Sequence, residues 1–467
     1  MNLSGTAGND TLSGGTGDDT LDGGSGDDAL NGGLGNDLYR YTLGSGNDVI
    51  TDTGGVDTLE LADPLFLFSG WNAYRSSNDL VFDFFGQGQI TVKDQFLAAP
   101  IIDALALPGN SGPLTFSNSL IGNAGNDVLI GSASGEAIDG GGGDDLIFGN
   151  GGNDTLSGGD GDDELLGGSG DDFLYGGAGD DSFDGQGGQS YIDGGDDWDE
   201  VAYSHEPGGV SVNLSGTTQN LAGHVLADGR VLHADGITED TLVSIEGISG
   251  TNFADAFYGG ARGSHDSFTG LAGNDTIVGG TDANSWVNVA NWDAPQGIIV
   301  NLSDASIAVG GVTVASRTER DGHGDTDTFV LSAGAIGVEG SVHDDYIRGR
   351  DDAGTWSDGY AGDDTIEGGA FWDTASYDDD PSEGGIYGAI VNLSASSITV
   401  SGVTAHAGSV TVAAHQARDC FGDTDTLIGI EEAWGSDFND YLVGSSSIDS
   451  LVGREGNDTQ GLRTRIA

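Results

Sequence analysis

Acidic residues recur every nine positions along two long blocks of this sequence. The first block begins at Asp10 and slips by two residues before its last two members, and the second keeps strict phase from residue 127 to residue 199. Two positions after each acidic residue comes a single apolar residue, such as Leu12, Leu21 or Leu156. A nine-residue period kept this long is not chance, and it indicates an elongated array of repeats.

Glycines surround the acidic residues, as in the stretch G-G-T-G-D-D-T-L-D-G-G-S-G-D-D-A-L from Gly14 to Leu30. Glycine adopts positive φ without steric cost and leaves its carbonyl accessible to a ligand. Stacked strands lie about 4.7–4.9 Å apart, so carboxylates two repeats apart are expected side by side. These carboxylates repel one another unless a cation such as calcium, which takes about six to eight oxygen ligands, binds between them.

The charge balance of the 467-residue chain restricts its partners. The chain has 76 acidic and 13 basic residues, a net charge of -63, and 86 glycines. This charge argues against nucleic acid or an anionic membrane as a partner, and no apolar run is long enough to span a membrane. The single cysteine, Cys420, excludes an internal disulfide framework, and the histidines lack zinc spacing. The expected ligand is a hard, oxygen-binding cation, without which this composition is typical of a disordered chain.

The unit G-G-x-G-x-D-x-U-x, in which U is an apolar residue and x is any residue, is typical of RTX proteins. The stretches from Gly14 to Tyr39 and from Gly140 to Asp184 match it closely. The sequence therefore resembles the haemolysin-type calcium-binding repeat family. The resemblance implies an all-β fold in which calcium-bound parallel β-roll blocks (a β-solenoid with two nonapeptides per coil) are interrupted by small β-rich caps and insertions. It also implies several Ca2+ ions, export from a bacterium by type I machinery, and a secreted, extracellular location.

The sixth position of each repeat supplies the predicted side-chain ligands. These are Asp10, Asp19, Asp28, Asp37, Asp48, Asp57, Asp127, Asp145, Asp154, Asp163, Asp172, Asp181, Asp199, Asp255, Asp275, Asp345, Asp364, Asp440 and Asp458. The predicted backbone carbonyl ligands are those of Gly15, Gly17, Gly24, Gly26, Gly141, Gly143, Gly159, Gly161, Gly168 and Gly170.

Breaks in the period predict the domain organisation. A hairpin pattern, L-V-F-D-F before G-Q-G-Q, follows the first block, and V-N-L-S recurs at Val212, Val300 and Val391 in longer units. We predict a first RTX β-roll over 1–60, a β-rich cap over 61–108, a linker over 109–119 and a second roll over 120–202. Three units follow, each an insertion plus a short roll, over 203–279, 280–369 and 370–467.

Three further patterns have competing interpretations. In G-D-T-D-T, at Gly324 and Gly422, the alternating aspartates are either calcium ligands or part of a solvated turn. The three N-L-S tripeptides fit a strand-forming motif better than a glycosylation acceptor, since they fall at the period of the longer units. The tryptophans fit core or cap packing better than a carbohydrate-stacking surface; they are Trp198, Trp286, Trp356, Trp372 and Trp434.

Together these features predict a secreted, calcium-binding structural or adhesive protein that folds on binding calcium, with cell-surface polysaccharide as a candidate partner. No nucleophile and base pair is indicated by spacing, so the chain is not expected to be an enzyme. The alternative is the non-catalytic region of a type I-secreted protease, lipase or alginate epimerase, or a toxin fragment. Residues 1–12 lack signal-peptide features and the C-terminal residues lack a long acidic amphipathic tail, so the export signal is expected to be atypical or the chain truncated.

Overall fold

A computed structural model gives the fold of the chain. It describes residues 1–62, 72–76, 78–84, 87–96, 102–107, 114–117, 120–221, 224–260, 265–279, 286–291, 294–331, 334–378, 387–401, 409–445, 450–454 and 456–461.

The residues that the structure describes form β-strands joined by turns, and they contain no helix. Accordingly, none of them belongs to a helix long and apolar enough to cross a lipid bilayer. The strands up to residue 249 are β1 (Asn2–Ser4), β2 (Thr11–Thr16), β3 (Thr20–Asp22), β4 (Ala29–Leu34), β5 (Leu38–Tyr41), β6 (Gly46–Thr51), β7 (Thr58–Leu61), β8 (Asn72–Ser76), β9 (Asp79–Asp83), β10 (Gly88–Val92), β11 (Ala104–Ala106), β12 (Leu114–Ser117), β13 (Asp127–Ile130), β14 (Ala137–Gly142), β15 (Leu146–Phe148), β16 (Thr155–Asp160), β17 (Glu164–Leu166), β18 (Phe173–Ala178), β19 (Ser182–Asp184), β20 (Tyr191–Asp196), β21 (Glu200–Ala202), β22 (Ser211–Asn213), β23 (Gln219–Leu221), β24 (His224–Leu226), β25 (Arg230–Leu232), β26 (Glu239–Val243) and β27 (Gly247–Ser249). Those that follow are β28 (Ala256–Tyr258), β29 (His265–Thr269), β30 (Thr276–Val278), β31 (Trp286–Ala290), β32 (Ile299–Asn301), β33 (Ile307–Val309), β34 (Val312–Val314), β35 (Thr318–Arg320), β36 (Thr326–Val330), β37 (Ala335–Glu339), β38 (Tyr346–Arg348), β39 (Thr355–Asp358), β40 (Thr365–Glu367), β41 (Thr374–Ser376), β42 (Ile390–Asn392), β43 (Ile398–Ser401), β44 (Ser409–Val412), β45 (Gln416–Arg418), β46 (Thr424–Ile428), β47 (Glu432–Trp434), β48 (Tyr441–Val443), β49 (Ser450–Val452) and β50 (Thr459–Gly461).

The chain divides into two compact units. Unit 1 comprises Met1–His205 and Thr238–Gly247, and unit 2 comprises Glu206–Ile237 and Ile248–Ala467. In unit 1 one sheet has the order β1-β3-β5-β7-β11-β12-β13-β15-β17-β19-β21 and is parallel except for the β11–β12 pair. The alternate strands form the sheets β2-β4-β6-β10-β9-β8 and β14-β16-β18-β20-β26. In the rolls each strand pairs with the strand two further along, which confirms a parallel β-roll with two nonapeptides per coil.

The apolar residue of each nonapeptide fills the inside of the roll. In the second roll Leu156 pairs in register with Leu174, and Leu174 pairs with Ile192. All three side chains are fully buried. Because successive strand residues point to opposite faces, the x-U-x pattern turns only its central side chain inward, and the core is a column of single apolar residues.

The first roll is continued by the predicted hairpin. Strands β9 and β10 are antiparallel, β10 also pairs in parallel with β6 of the roll, and β8 pairs with β9. Phe82 and Ile90 are fully buried in the same apolar cluster as the side chains of the roll. This arrangement covers apolar surface that the last coil of a solenoid otherwise exposes.

The predicted linker over 109–119 differs from the structure in its described part. Residues 114–117 form β12, which pairs in parallel with β13. Leu114 and Phe116 are buried, because alternate apolar residues in this segment continue the core. The rest of the predicted linker lies outside the described residues.

In unit 2, two insertions place an antiparallel strand between parallel strands of the roll. Strand β35 lies between β32 and β36, and β45 lies between β42 and β46. The N-L-S asparagine at the end of β32, Asn301, is fully buried, and its Nδ2 donates to the carbonyls of Ala305 at 2.9 Å and Ala315 at 2.6 Å. The asparagine therefore fixes the hairpin that follows β32, and Asn213 and Asn392 make equivalent contacts.

Candidate metal sites

The sixth-position aspartates form a hydrogen-bonded column in each roll. The backbone N–H of Asp145 donates to Oδ1 of Asp163 at 2.8 Å, and the N–H of Asp163 donates to Oδ1 of Asp181 at 2.9 Å. Carboxylates two repeats apart therefore lie on adjacent strands, as the stacking argument predicts. The same acceptor contact is made by Asp28, Asp37, Asp48, Asp57, Asp172, Asp199, Asp275, Asp364 and Asp458.

The second carboxylate oxygen of most of these aspartates is buried without a hydrogen-bond partner. Among the described residues, such Oδ2 atoms belong to Asp19, Asp28, Asp37, Asp145, Asp154, Asp163, Asp172, Asp181, Asp199, Asp275, Asp364 and Asp440. A buried charged oxygen without a partner is costly. A cation that prefers carboxylate oxygens would satisfy these atoms, so the residues present fit calcium.

Backbone carbonyls converge on the same places. A Cβ on Gly14, the first residue of its repeat, would lie 2.3 Å from Oδ2 of Asp19 and 2.6 Å from the carbonyl oxygen of Gly32 in the next coil. The arrangement recurs at Gly140 and Gly176. The first position of the repeat therefore requires glycine, because a larger side chain would collide with the aspartate and with the next coil. Its carbonyl oxygen lies near the carboxylates as well, and the predicted carbonyl ligands did not include it.

The glycines predicted as carbonyl ligands occupy the second and fourth positions of their repeats. All ten have positive φ, between 86° and 142°. The carbonyl oxygen of Gly15 lies 2.2 Å from the point where a Cβ on Gly33 would stand. These positions need glycine for both backbone conformation and space, and their role as calcium ligands stays a prediction.

Burial shifts the titration of the column. Burial raises the pKa of Asp163 to about 7, and the Asp181 and Asp145 carboxylates contribute in the same direction. Burial likewise raises the pKa of Asp145 and Asp181 to about 6. At neutral pH the carboxylates of the column therefore repel one another unless protons or cations neutralise their charge.

Some predicted ligands have both oxygens occupied by the protein itself. At Asp255 the N–H of Thr251 donates to Oδ2 at 2.7 Å and the N–H of Val210 donates to Oδ1 at 2.6 Å. Thr251 replaces the second glycine of its repeat. The same contact from the second-position residue is made to Asp10, Asp127 and Asp345. Asp255 and Asp345, whose Oδ1 also accepts a backbone N–H, are therefore less well arranged for an ion, whereas Oδ1 of Asp127 is buried without a partner.

The column also contains acidic residues that the nine-residue phase did not predict. The N–H of Asp275 donates to Oδ1 of Asp327 at 2.8 Å, although 52 residues separate them. Residues that extend the column in this way are Asp103, Asp240, Glu246, Asp327 and Asp425. Three of these residues, Asp240, Asp327 and Asp425, belong to a recurrent D-T motif, which could have identified them from the sequence.

One carboxylate cluster is tighter than the rest. Oxygens of Asp37, Asp52 and Asp57 all lie within 4.8 Å of one another. Asp52 occupies the first position of its repeat, where glycine is usual, and its Oδ2 accepts a hydrogen bond from the Tyr39 hydroxyl while its Oδ1 accepts one from the Gly54 N–H at 2.8 Å. A search restricted to sixth positions does not find Asp52.

Comparison with known proteins identifies the repeat. The family model described as "RTX calcium-binding nonapeptide repeat (4 copies)" matches residues 4–39, 42–62, 115–147, 130–165, 139–174, 157–192, 249–285, 358–374 and 434–459. No curated protein matches the chain significantly. Ten solved chains do.

One of the solved chains is extracellular lipase LipA from Serratia marcescens, with 21% identity over 53% of this chain and 38% of the lipase. The match thus spans well under half of the lipase, and its TM-score of 0.19 supports no inference about fold or activity. The segments that match the repeat model contain most of the aspartates that form the carboxylate columns. The chain therefore contains RTX calcium-binding nonapeptide repeats in several copies.

Proposed function

We propose that the chain is an extracellular structural or adhesive protein, exported unfolded through type I machinery and folded by calcium outside the cell. The observation that carries this proposal is the column of buried Oδ2 atoms without hydrogen-bond partners, for example at Asp154, Asp163 and Asp172. Calcium, when bound, supplies the positive charge and the open coordination that these oxygens need. Because the chain holds so many such oxygens, its folded state depends on the ion at neutral pH.

Linkage gives the size of this dependence. An ion that binds only the folded state at ten times its dissociation constant stabilises that state by about 1.4 kcal/mol per site. Several sites in one roll therefore contribute as much as the whole stability of an ordinary domain, about 5–15 kcal/mol. A drop in free calcium is sufficient to unfold the rolls.

Calcium titration followed by far-ultraviolet circular dichroism tests the proposal. The calcium-free chain is expected to give a disordered spectrum at pH 7.5, and added calcium is expected to produce a cooperative rise in β-structure. Magnesium at the same concentration is the control, since it requires a smaller octahedral site and gives up water reluctantly. A spectrum that does not change between chelator and saturating calcium would refute calcium-dependent folding.

The tryptophans of unit 2 support an adhesive role with polysaccharide as partner. Trp286, Trp356 and Trp372 line a cleft of about 310 Å3. The Trp286 and Trp356 ring centroids are 6.3 Å apart in an edge-to-face arrangement, and the side chain of Trp372 is 45% exposed. Trp198 is likewise 41% exposed, so these two side chains do not lie in a core, and the cap packing that was the other part of the prediction stays a prediction. An aromatic cleft of this kind offers apolar ring faces on which sugar rings stack.

The tryptophan cleft can be tested separately from calcium binding. In calcium, Trp356→Ala and Trp372→Ala are expected to weaken binding to a neutral polysaccharide at least tenfold, while Trp198→Ala, outside the cleft, leaves it unchanged. Equal binding by all variants would remove the support for an adhesive role of this cleft.

We also propose that this chain itself performs no catalysis. The second candidate role, favoured by the repeat matches, is the calcium-binding region of a type I-secreted enzyme or toxin. Hydrolase assays on the calcium-folded chain with ester, peptide and glycan substrates test this, and turnover of any of them would contradict the proposal.

A further inference from the structure

We propose that the second insertion holds a calcium ion of its own, bound by Glu319 and Asp321 of the insertion together with Asp327 and Asp275. Glu319, Asp321 and Asp327 lie outside the segments that match the nonapeptide repeat model, and Asp275 lies inside the segment 249–285. The proposal extends calcium binding beyond the rolls to a site built around the inserted antiparallel strand β35.

Glu319 is the central residue of this cluster. It lies in the middle of β35, is 1% exposed, and both Oε1 and Oε2 are buried without a hydrogen-bond partner. In the antiparallel pairing of β35 with β36 it stands directly opposite Asp327. Directly opposite residues have Cβ atoms about 4.5–5.5 Å apart, so the two carboxylates are neighbours on the same face of the sheet.

Two further carboxylates, of Asp321 and Asp275, lie near Glu319: burial raises the pKa of Glu319, and both contribute in the same direction. Asp321, two residues later, is fixed through Oδ1, which accepts the N–H groups of Gly324 at 2.6 Å and Asp325 at 2.7 Å, while its Oδ2 is buried without a partner. Asp275 lies on the adjacent roll strand, where its N–H donates to Asp327 at 2.8 Å, and its Oδ2 also lacks a partner. Three carboxylates thus contribute four buried oxygens that no described group of the protein satisfies.

The basic groups around this cluster are exposed or engaged elsewhere, and Arg320, between Glu319 and Asp321, is exposed. The nearby guanidinium of Arg317 is engaged with Asp304 and Asp352 on the surface. His323 is the positive group that acts on Asp321, and it is exposed. Several buried carboxylates without a counterion are far too costly to persist, and a set made only of carboxylate oxygens suits a hard cation such as calcium.

The cluster is looser than the one in the first roll. Among the described residues only Asp37, Asp52 and Asp57 have ligand oxygens all within 4.8 Å of one another. The proposal therefore requires the Glu319 side chain, which has several rotatable bonds, to turn its carboxylate toward the ion.

The third insertion provides an internal comparison. There the residue opposite Asp425 on the inserted strand is Ala417 in place of glutamate. Asp419 and Asp364 retain a buried Oδ2 without a partner, as Asp321 and Asp275 do in the second insertion. The third insertion thus lacks one carboxylate, and we expect it to bind calcium more weakly than the second.

Hydrogen exchange in the full chain, measured by mass spectrometry during a calcium titration, resolves this site from the rolls. In the wild-type protein, β35 and β36 are expected to gain protection as calcium is added. Glu319→Gln keeps the shape but removes the charge, and is expected to shift the calcium midpoint of these strands at least tenfold upward. Strands β16, β18 and β20 of the second roll are expected to keep the wild-type midpoint.

The control is Glu367→Gln, which removes the same charge from a half-exposed side chain paired with Arg348. It is expected to leave the midpoint at β35 and β36 unchanged. If Glu319→Gln does not fold at saturating calcium, Asp321→Asn provides the test, since an asparagine Oδ1 still accepts the Gly324 and Asp325 N–H groups.

A wild-type midpoint at β35 and β36 in the folded variant tested would overturn the proposal while leaving calcium-dependent folding of the rolls intact. Absence of calcium-dependent protection anywhere in the wild-type chain would instead refute the proposed function.

Discussion

Asp163→Asn is the sharpest test of the carboxylate column, because a matched control lies one residue away. Asp163 is 2% exposed and stands between Asp145 and Asp181, so we expect its carboxylate to serve a site on each side. Asp162, at the fifth position, is exposed and accepts the Asp180 N–H at 2.9 Å. Asparagine retains Oδ1 as an acceptor for the backbone, so the substitution at residue 163 removes chiefly the ligand charge.

The expected loss follows from linkage. At a free calcium concentration ten times the dissociation constant, each site contributes about 1.4 kcal/mol, so losing two sites costs about 3 kcal/mol. For a domain of about 150–250 residues this corresponds to a fall in Tm of roughly 6–12 °C, at about 2–4 °C per kcal/mol. Asp162→Asn is expected to change the free energy of unfolding by less than about 0.5 kcal/mol, as for most surface substitutions.

Thermal unfolding of both variants in calcium, followed by circular dichroism, measures the difference. Calorimetric calcium titration on the same samples shows whether the stability loss is accompanied by loss of binding. Equal Tm values for the two variants, or a loss of stability in Asp163→Asn with unchanged calcium binding, would refute the assignment of the sixth position as ligand.

Three other predictions follow from steric contacts, buried hydrogen bonds and pKa shifts. Gly14→Ala places a Cβ 2.3 Å from Oδ2 of Asp19, so it is expected to cost about 1–3 kcal/mol in urea unfolding, whereas Gly8→Ala, with no atom within 4 Å, changes little. Asn301→Ala leaves buried carbonyls without their donor and is expected to cost about 3 kcal/mol without changing calcium binding in the rolls, which urea unfolding and calorimetry check together. The folded-state pKa of Asp163, about 7, is raised above its ordinary value, so the stability of the calcium-free roll is greatest below pH about 4 and is lost as pH rises through 7. Circular dichroism of decalcified protein is therefore expected to show more β-structure at pH 4.5 than at pH 7.5, and no difference would contradict the burial of these carboxylates.

The rolls could be predicted from sequence because their structure repeats at the same interval as their residues. The apolar residue two positions after each aspartate faces inward, as Leu21, Leu156 and Leu174 do. Once two nonapeptides form one coil, strand spacing alone brings Asp145 next to Asp163. From Asp145 to Asp181 the hydrogen bonds of the column join aspartates that are only 18 residues apart.

Ligand geometry could be predicted only in part. The sixth position identifies the aspartates, but it does not show whether a backbone N–H of the same repeat already engages Oδ2. The N–H of Thr251 engages Oδ2 of Asp255, while Gly-Gly pairs leave the corresponding oxygen of Asp163 without a partner. Asp52 was not predicted because it occupies the first position of its repeat. Its carboxylate nevertheless lies next to the sixth-position carboxylates of Asp37 and Asp57.

The insertions were beyond prediction for a different reason. The G-D-T-D-T motif suggested that Asp325 and Asp327 act together, yet in the structure Asp325 is half-exposed while Asp327 is buried opposite Glu319. This pairing depends on the direction in which β35 returns between β32 and β36. Direction and register of an inserted strand are set by tertiary packing, which a single sequence does not show.

The insertions interrupt the nonapeptide period but not the carboxylate column. The N–H of Asp364 reaches Oδ1 of Asp425 at 3.1 Å across 61 residues, and the N–H of Asp345 reaches Oδ1 of Asp364 at 2.7 Å across 19. The free energy of closing a loop grows only slowly with its length, by about 0.6 kcal/mol per doubling, so a long insertion costs a roll little if its two ends return to adjacent strands. The carboxylate column therefore continues through the insertions. The nonapeptide repeat is the shortest way in which the chain connects successive carboxylates of the column. A column that tolerates insertions can carry additional surfaces, such as the tryptophan cleft and the Glu319 cluster. Under the proposed function, calcium binding along the column also controls the folding of these surfaces.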